Sequence, residues 1–177
     1  MNRTLIAFAA LSSTLIMSVA QANDGTINFN GELTAQTCTT TVNGVANAAT
    51  VVLPTLSTSA LAVAGATAGS TNFTIELSNC SDSVVTAAAL FEAGSGVDPI
   101  SKNVRNVSGS ATGVQFQLLD SRGSVISAGD ASQVTNTART NVTASTAVLP
   151  YAVQYFASAA TTPGTVVGSV TYSINYQ

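Results

Sequence analysis

The chain has 177 residues, 46% hydrophobic, 6% aromatic and only 7% charged, with a formal net charge of −3 and neither histidine nor tryptophan. Lys102, Arg105, Arg122 and Arg139 are too scattered to form a basic patch, which argues against nucleic acid or an anionic membrane as a partner. Without histidine there is no Ser-His-Asp triad and no imidazole metal site, and Asp82, Glu92, Asp98, Asp120 and Asp130 show no pairing in sequence, so no catalytic, metal or cofactor site is expected.

Residues 1–22 read as an export signal. Arg3 supplies the positive start, residues 5–19 the apolar core, and Ala20-Gln21-Ala22 a small-x-small cleavage site. The apolar run is shorter than about 20 residues and no stop-transfer charges follow, so a membrane span is not expected. What remains from Asn23 fits one domain. Its surface, dominated by Ser, Thr, Asn and Gly, has little charge to repel a sister chain.

Strands dominate the pass along the mature chain, because Thr, Val and Gly recur where a helix would want Leu, Glu and Lys. Residues 26–33 alternate, with Ile27, Phe29 and Leu33 on one face of a half-buried strand and Gly31 on that same face. Cys38 and Cys80 are the only cysteines. In an exported chain a disulfide between them is the economical reading, and two unpaired buried thiols are the alternative. Further strands are predicted at 50–53, 70–77, 84–91, 114–119, 148–157 and 166–176, separated by Gly, Pro, Asn and Ser clusters. About seven strands with turns between them predict an antiparallel sandwich. Residues 55–69, rich in Ala, Ser and Thr, fit either a short helix or a surface loop. Residues 125–145 fit either irregular chain or weakly patterned strands.

The C-terminal stretch is the most specific. Gly164, Val166, Gly168, Val170, Tyr172, Ile174 and Tyr176 occupy alternate positions, so one face stays apolar up to the last residue. A chain that stops inside its last strand leaves an edge or a partner site. A second alternating strand opens the mature chain. Sticky edges at both ends invite head-to-tail pairing, which builds filaments when it does not close.

At this point the chain resembles the pilins of chaperone-usher fimbriae, most closely the major subunit of type 1 fimbriae, over essentially the whole mature sequence. The resemblance is carried by Gly25-Thr26-Ile27-Asn28-Phe29-Asn30-Gly31-Glu32-Leu33 followed by Cys38, by Cys80, and by Gly113-Val114-Gln115-Phe116-Gln117-Leu118-Leu119-Asp120 with Gly123. Tyr155-Phe156-Ala157 also contributes, as does a last strand with Gly164 fourteenth from the end and a penultimate Tyr176. It implies an all-β fold, an incomplete immunoglobulin-like β-sandwich that lacks its C-terminal strand and is completed by a donor strand from a neighbouring subunit. The implied division is a signal peptide at 1–22, a donor-strand extension at 23–35 and a pilin domain at 36–177.

The resemblance also implies roles. Gly25, Ile27, Phe29, Gly31 and Leu33 would form the donor strand, with Gly31 admitting a close approach of the neighbour's backbone. Gly164, Val166, Gly168, Val170, Tyr172, Ile174 and Tyr176 would form a wall of the acceptor groove, Tyr176 being the chaperone-contacting tyrosine and the two glycines marking bends or close contacts. The implied partners are identical or related subunits in a head-to-tail homopolymer, a periplasmic chaperone and an outer-membrane usher, with no nucleic acid, no membrane insertion after signal cleavage and no cofactor. The implied product is a fimbria on the cell surface that supports adhesion. The alternatives are a minor adaptor subunit or a carbohydrate-binding adhesin. A separate lectin domain has no room in this chain, and a full donor strand argues against a tip position.

Overall fold

The computed structural model describes residues 38–46 and 49–177. They belong to the larger of two compact units, Thr34–Gln177. Residues 1–22 and the segment carrying Gly25, Ile27, Phe29, Gly31 and Leu33 lie outside the described residues.

Among the described residues nine strands make two antiparallel sheets. In chain order they are β1 (Thr39–Val42), β2 (Thr67–Ser78), β3 (Thr86–Phe91), β4 (Val104–Arg105), β5 (Val114–Leu119), β6 (Val125–Ile126), β7 (Thr140–Asn141), β8 (Ala147–Ala157) and β9 (Tyr172–Tyr176). The larger sheet runs β1-β2-β8-β5-β4, with β6 also on β5, and the smaller runs β7-β3-β9. β2 and β8 are long and pair over most of their length, with Phe73 opposite Tyr151 and Ile75 opposite Leu149. A shift in register between Ala68 and Thr71 bends β2 near its start.

The core lies where the inner faces of the two sheets meet. Phe73, Ile75, Leu77, Leu118, Leu149, Tyr151 and Val153 come from the larger sheet, and Ala87, Ala89 and Phe91 from the smaller. Ile75 is fully buried, and Tyr151 packs between Phe73 at 5.8 Å and the edge of Phe91 at 5.4 Å. The alanines of β3 leave room for that ring.

Tyr151 also solves a hydrogen-bonding problem. β7 covers only Thr86 and Ala87 of β3, so the rest of that edge would be buried unpaired. The Ala89 N–H donates to the Tyr151 hydroxyl at 2.7 Å. Farther along, the Gln133 amide takes both polar groups of Phe91: its Oε1 accepts from the Phe91 N–H and its Nε2 donates to the Phe91 carbonyl, each at 3.0 Å. Gln133 opens the one-turn helix α1 (Gln133–Asn136) and is itself buried. Side chains thus finish a ladder that β7 leaves short.

The expected strands at 50–53 and 166–176 are corrected, and the alternatives at 55–69 and 125–145 are decided. Residues 50–53 form no strand: Val51 and Leu53 are half-buried while Val52 is exposed, but the backbone joins no ladder among the described residues. Residues 55–69 are divided, with a 3₁₀ turn at Thr58–Leu61 capped by Ser57 and the start of β2 at Thr67. Residues 125–145 hold two short strands and α1. The strand predicted at 166–176 is assigned only from Tyr172. Upstream, the Ser110 hydroxyl and Asn106 Oδ1 accept from the N–H groups of Thr165 and Val167, and this interrupts the ladder.

Candidate functional site

The site is built along β9 and the extended chain that leads into it. β9 pairs with β3 on one side, setting Tyr172 against Phe91, Ile174 against Ala89 and Tyr176 against Ala87. Among the described residues β3 is its only ladder partner. Val166, Gly168, Val170, Tyr172, Ile174 and Tyr176 are half-buried, whereas Thr165, Val167, Ser169, Thr171 and Ser173 are exposed. Val170, Tyr172, Ile174 and Tyr176 rest against the main core, and Val166 against a smaller cluster of Leu61, Ala111, Val114 and Ala157. The six positions share one continuous face.

The glycines of this stretch sit where side chains do not fit. A Cβ on Gly168 would overlap the Arg105 carbonyl and press on the Phe116 ring at 3.2 Å, and one on Gly164 would strike the Ala111 backbone and the Ser110 side chain. The Asn106 amide bridges the neighbouring chain, donating to the Ala111 carbonyl at 2.7 Å and accepting from the Gly109 N–H at 2.9 Å. Beside residues 164–167 opens a pocket of about 740 Å³ whose lining includes Leu56, Leu61, Val114 and Tyr155.

The C-terminal end of β9 is tied down from several directions. The Gln177 carbonyl accepts from the N–H groups of Val85 and Thr86 at 2.8 and 2.7 Å. The Tyr176 hydroxyl accepts from the Cys38 N–H at 3.1 Å. Cys38 in turn is bonded to Cys80, 42 residues away in sequence. Thus Tyr176 is joined to the residue just before β1, and β1 is held to the end of β2 by both its ladder and the disulfide.

Two residues of the site have no motif to announce them. Arg139 and Asn175 are bonded to each other, the Arg139 guanidinium reaching Asn175 Oδ1 at 2.6 Å. Burial pushes the pKa of Arg139 down from its ordinary value, which for arginine still leaves a cation at neutral pH.

Asp120 and Asp98 hold turns together. Asp120 is buried in the turn after β5. Burial opposes its ionisation, but the N–H groups of Ala138, Ser124 and Arg122 and the Arg122 side chain all donate to it, and the net effect holds its pKa below the ordinary value. Asp98 is also lowered, chiefly by the Ser101 and Ile100 N–H groups, with Arg105 at 3.5 Å adding to the effect. A folded pKa below the unfolded one means that the stabilisation is complete above the unfolded value of about 3.9 and is lost as pH falls through the folded value. Stability should hold from neutral pH to about 5 and decline below about 4 in urea titrations. Asp120→Asn should lower stability at neutral pH and flatten that acid decline. Among the described residues no group of three or more Cys, Asp or Glu is placed to hold a metal ion.

Comparison with known proteins points one way. The family described as FimA, type-1 fimbrial protein A, matches residues 53–177. The major fimbrial subunit SMF-1 of Stenotrophomonas maltophilia (strain K279a) is 45% identical over 163 residues, which cover 89% of this chain and 95% of that one. The type-1 fimbrial protein A chain of Escherichia coli (strain K12) is 33% identical over 173 residues, 95% of this chain and 92% of that one. In fold, the chain is similar to the crystal structure of the P pilus rod subunit PapA, with a TM-score of 0.59 and 19% identity over 78% of this chain and 99% of that one. The described residues therefore share the all-β sandwich fold of that pilus rod subunit.

Proposed function

Since the chain belongs to the type-1 fimbrial protein family, we propose that this structural subunit of a surface fimbria joins its neighbours by donor-strand exchange. It is a building block of a fibre assembled on the cell surface after passage through the periplasm, and not an enzyme. In this reading residues 1–22 direct export, residues 23–35 form the extension that leaves one subunit for the next, and residues 36–177 form the acceptor domain. A periplasmic chaperone first occupies the acceptor edge, and an outer-membrane usher oversees its replacement by the next subunit's extension.

The observation that carries the reading is the face of residues 166–176. Six alternate positions are half-buried beside a strand that has one ladder partner among the described residues. Such an edge offers main-chain hydrogen bonds for affinity and alternate side-chain contacts for specificity, which is how strand addition works. The complementary pattern is that of Ile27, Phe29 and Leu33, and burying each would be worth roughly 1.5 to 3 kcal/mol. Gly31, on the same face, suits a place where two backbones approach.

The test is polymer formation. Ile27→Asp and Phe29→Asp together put two charges on the buried face of the donor segment. The double variant should be exported and form its disulfide, yet give monomers or chaperone complexes in place of fibres by electron microscopy and size-exclusion chromatography. Fibres of unchanged length and yield would show that the segment at 23–35 does not link subunits.

A further inference from the structure

β9 is only five residues long and is laddered to β3 alone among the described residues. An edge element with so few partners lies at the low-stability end of a fold. Its register nonetheless matters: a slip of one residue would turn Tyr172, Ile174 and Tyr176 from the core face to the outer face. Something beyond five residue pairs must hold it in place.

Arg139 is built to do this. Its Nε donates to Thr86 Oγ1 at 2.9 Å and its Nη1 to Asn175 Oδ1 at 2.6 Å. Its Nη2 donates to the Thr86 carbonyl at 3.2 Å and to the Asn175 carbonyl at 2.9 Å. One planar fork thus meets a side-chain acceptor and a main-chain acceptor on each of two adjacent strands. Period-two alternation puts Thr86 and Asn175 on the face opposite Ala87, Ala89 and Phe91 and opposite Tyr172, Ile174 and Tyr176. The clamp therefore grips the sheet from outside and leaves the inner face free. The described residues give Arg139 no carboxylate partner, since their two ion pairs are Arg105–Asp98 and Arg122–Asp120. Its donors are committed to neutral acceptors whose spacing exists only when β3 and β9 are in this register, and a lysine, with one nitrogen, cannot span both strands in the same way.

We infer that Arg139 is a positioning residue for assembly, fixing the register of β9 on β3 so that the acceptor edge is ordered before a donor strand reaches it. The inference rests on the donor-strand reading given above.

The experiment uses the mature chain carrying Ile27→Asp and Phe29→Asp, so that its own extension does not compete, and a fluorescent peptide of residues 24–33. Peptide association and release are compared for that chain and for versions with Arg139→Met, Arg139→Lys and Asn175→Ala added, all at a temperature where each is folded. Arg139→Met should release the peptide roughly tenfold faster or more, Arg139→Lys should fall close to it, and Asn175→Ala should show a smaller effect in the same direction. Amide hydrogen exchange should rise at Ser173, Asn175 and Gln177 while staying unchanged at Ile75 and Leu149. A purely structural role would lower the melting temperature without changing release from the folded chain, and equal release by all versions would overturn the inference while leaving the donor-strand reading intact. If the starting chain binds no peptide, that reading fails and the inference with it. Should Arg139→Met not fold, Asn175→Ala decides, because unchanged release there overturns the clamp.

Discussion

Extending the mature chain at its C-terminus with a flexible linker and a second copy of residues 24–33 is expected to raise its melting temperature by about 10 °C or more, as a soluble monomer. The extension would lay a strand along β9, whose ladder among the described residues is satisfied on one side only. Burial of copies of Ile27, Phe29 and Leu33 is the driving term, and new main-chain bonds at about 1 kcal/mol each offset the ordering of the segment. A net gain of about 4 kcal/mol or more, at roughly 3 °C per kcal/mol for a domain of this size, gives the stated shift. Tethering keeps the segment at millimolar effective concentration, so the result does not depend on the affinity of a free peptide. A control extension with the copies of Ile27, Phe29 and Leu33 changed to Asp should melt like the unextended chain. Equal melting of all three forms would mean that the sandwich is complete without this strand.

The same face shows how far the sequence could be read and where it stopped. Alternation at 166–176 is a local signal, and it survives in the burial of every second residue although the ladder is assigned only from Tyr172 to Tyr176. β5 has the bounds expected of it, and β8 differs by one residue, because both are central strands whose neighbours reinforce their own pattern. β1 escaped notice since Thr39-Thr40-Thr41-Val42 has no apolar rhythm; it is placed by β2 and by the Cys38–Cys80 bond. β4 and β7, at two residues each, are too short to show any period.

The missed side chains fail for a related reason. Arg139 reads as one more exposed cation until Thr86, 53 residues earlier, is brought beside it, and Gln133 reads as a loop residue until the N–H and carbonyl of Phe91, 42 residues earlier, are brought beside its amide. Their roles are set by tertiary neighbours, and no spacing in the sequence announces them. Asp120 is a mixed case. Its turn with Gly123 is local and belongs to the sequence motif that begins at Gly113, but its bond to the Ala138 N–H spans 18 residues and depends on the fold.

Removing the disulfide by Cys38→Ser and Cys80→Ser is expected to cost about 4 kcal/mol, measured as a lower urea midpoint with a slope that is equal or steeper because the unfolded chain is less compact. The chain-entropy treatment gives this value for closing a loop across a separation of 42 residues, and it is a large share of the stability of a domain this small. The bond has a second task. Cys38 immediately precedes β1, an edge strand with four ladder pairs, and its N–H donates to the Tyr176 hydroxyl on the core face of β9. Without the bond β1 should fray first, giving faster amide exchange at Thr39 to Val42 than in β2 or β8. Fraying would also release Tyr176, so loss of the bond should weaken the acceptor edge as well as the domain. The completed, C-terminally extended chain should therefore recover more stability in the reduced form than in the oxidised one, because its added strand restores order to the edge that the bond had been holding. Equal gains in the two forms would mean that Cys38 and the acceptor edge act independently, as distant sites do.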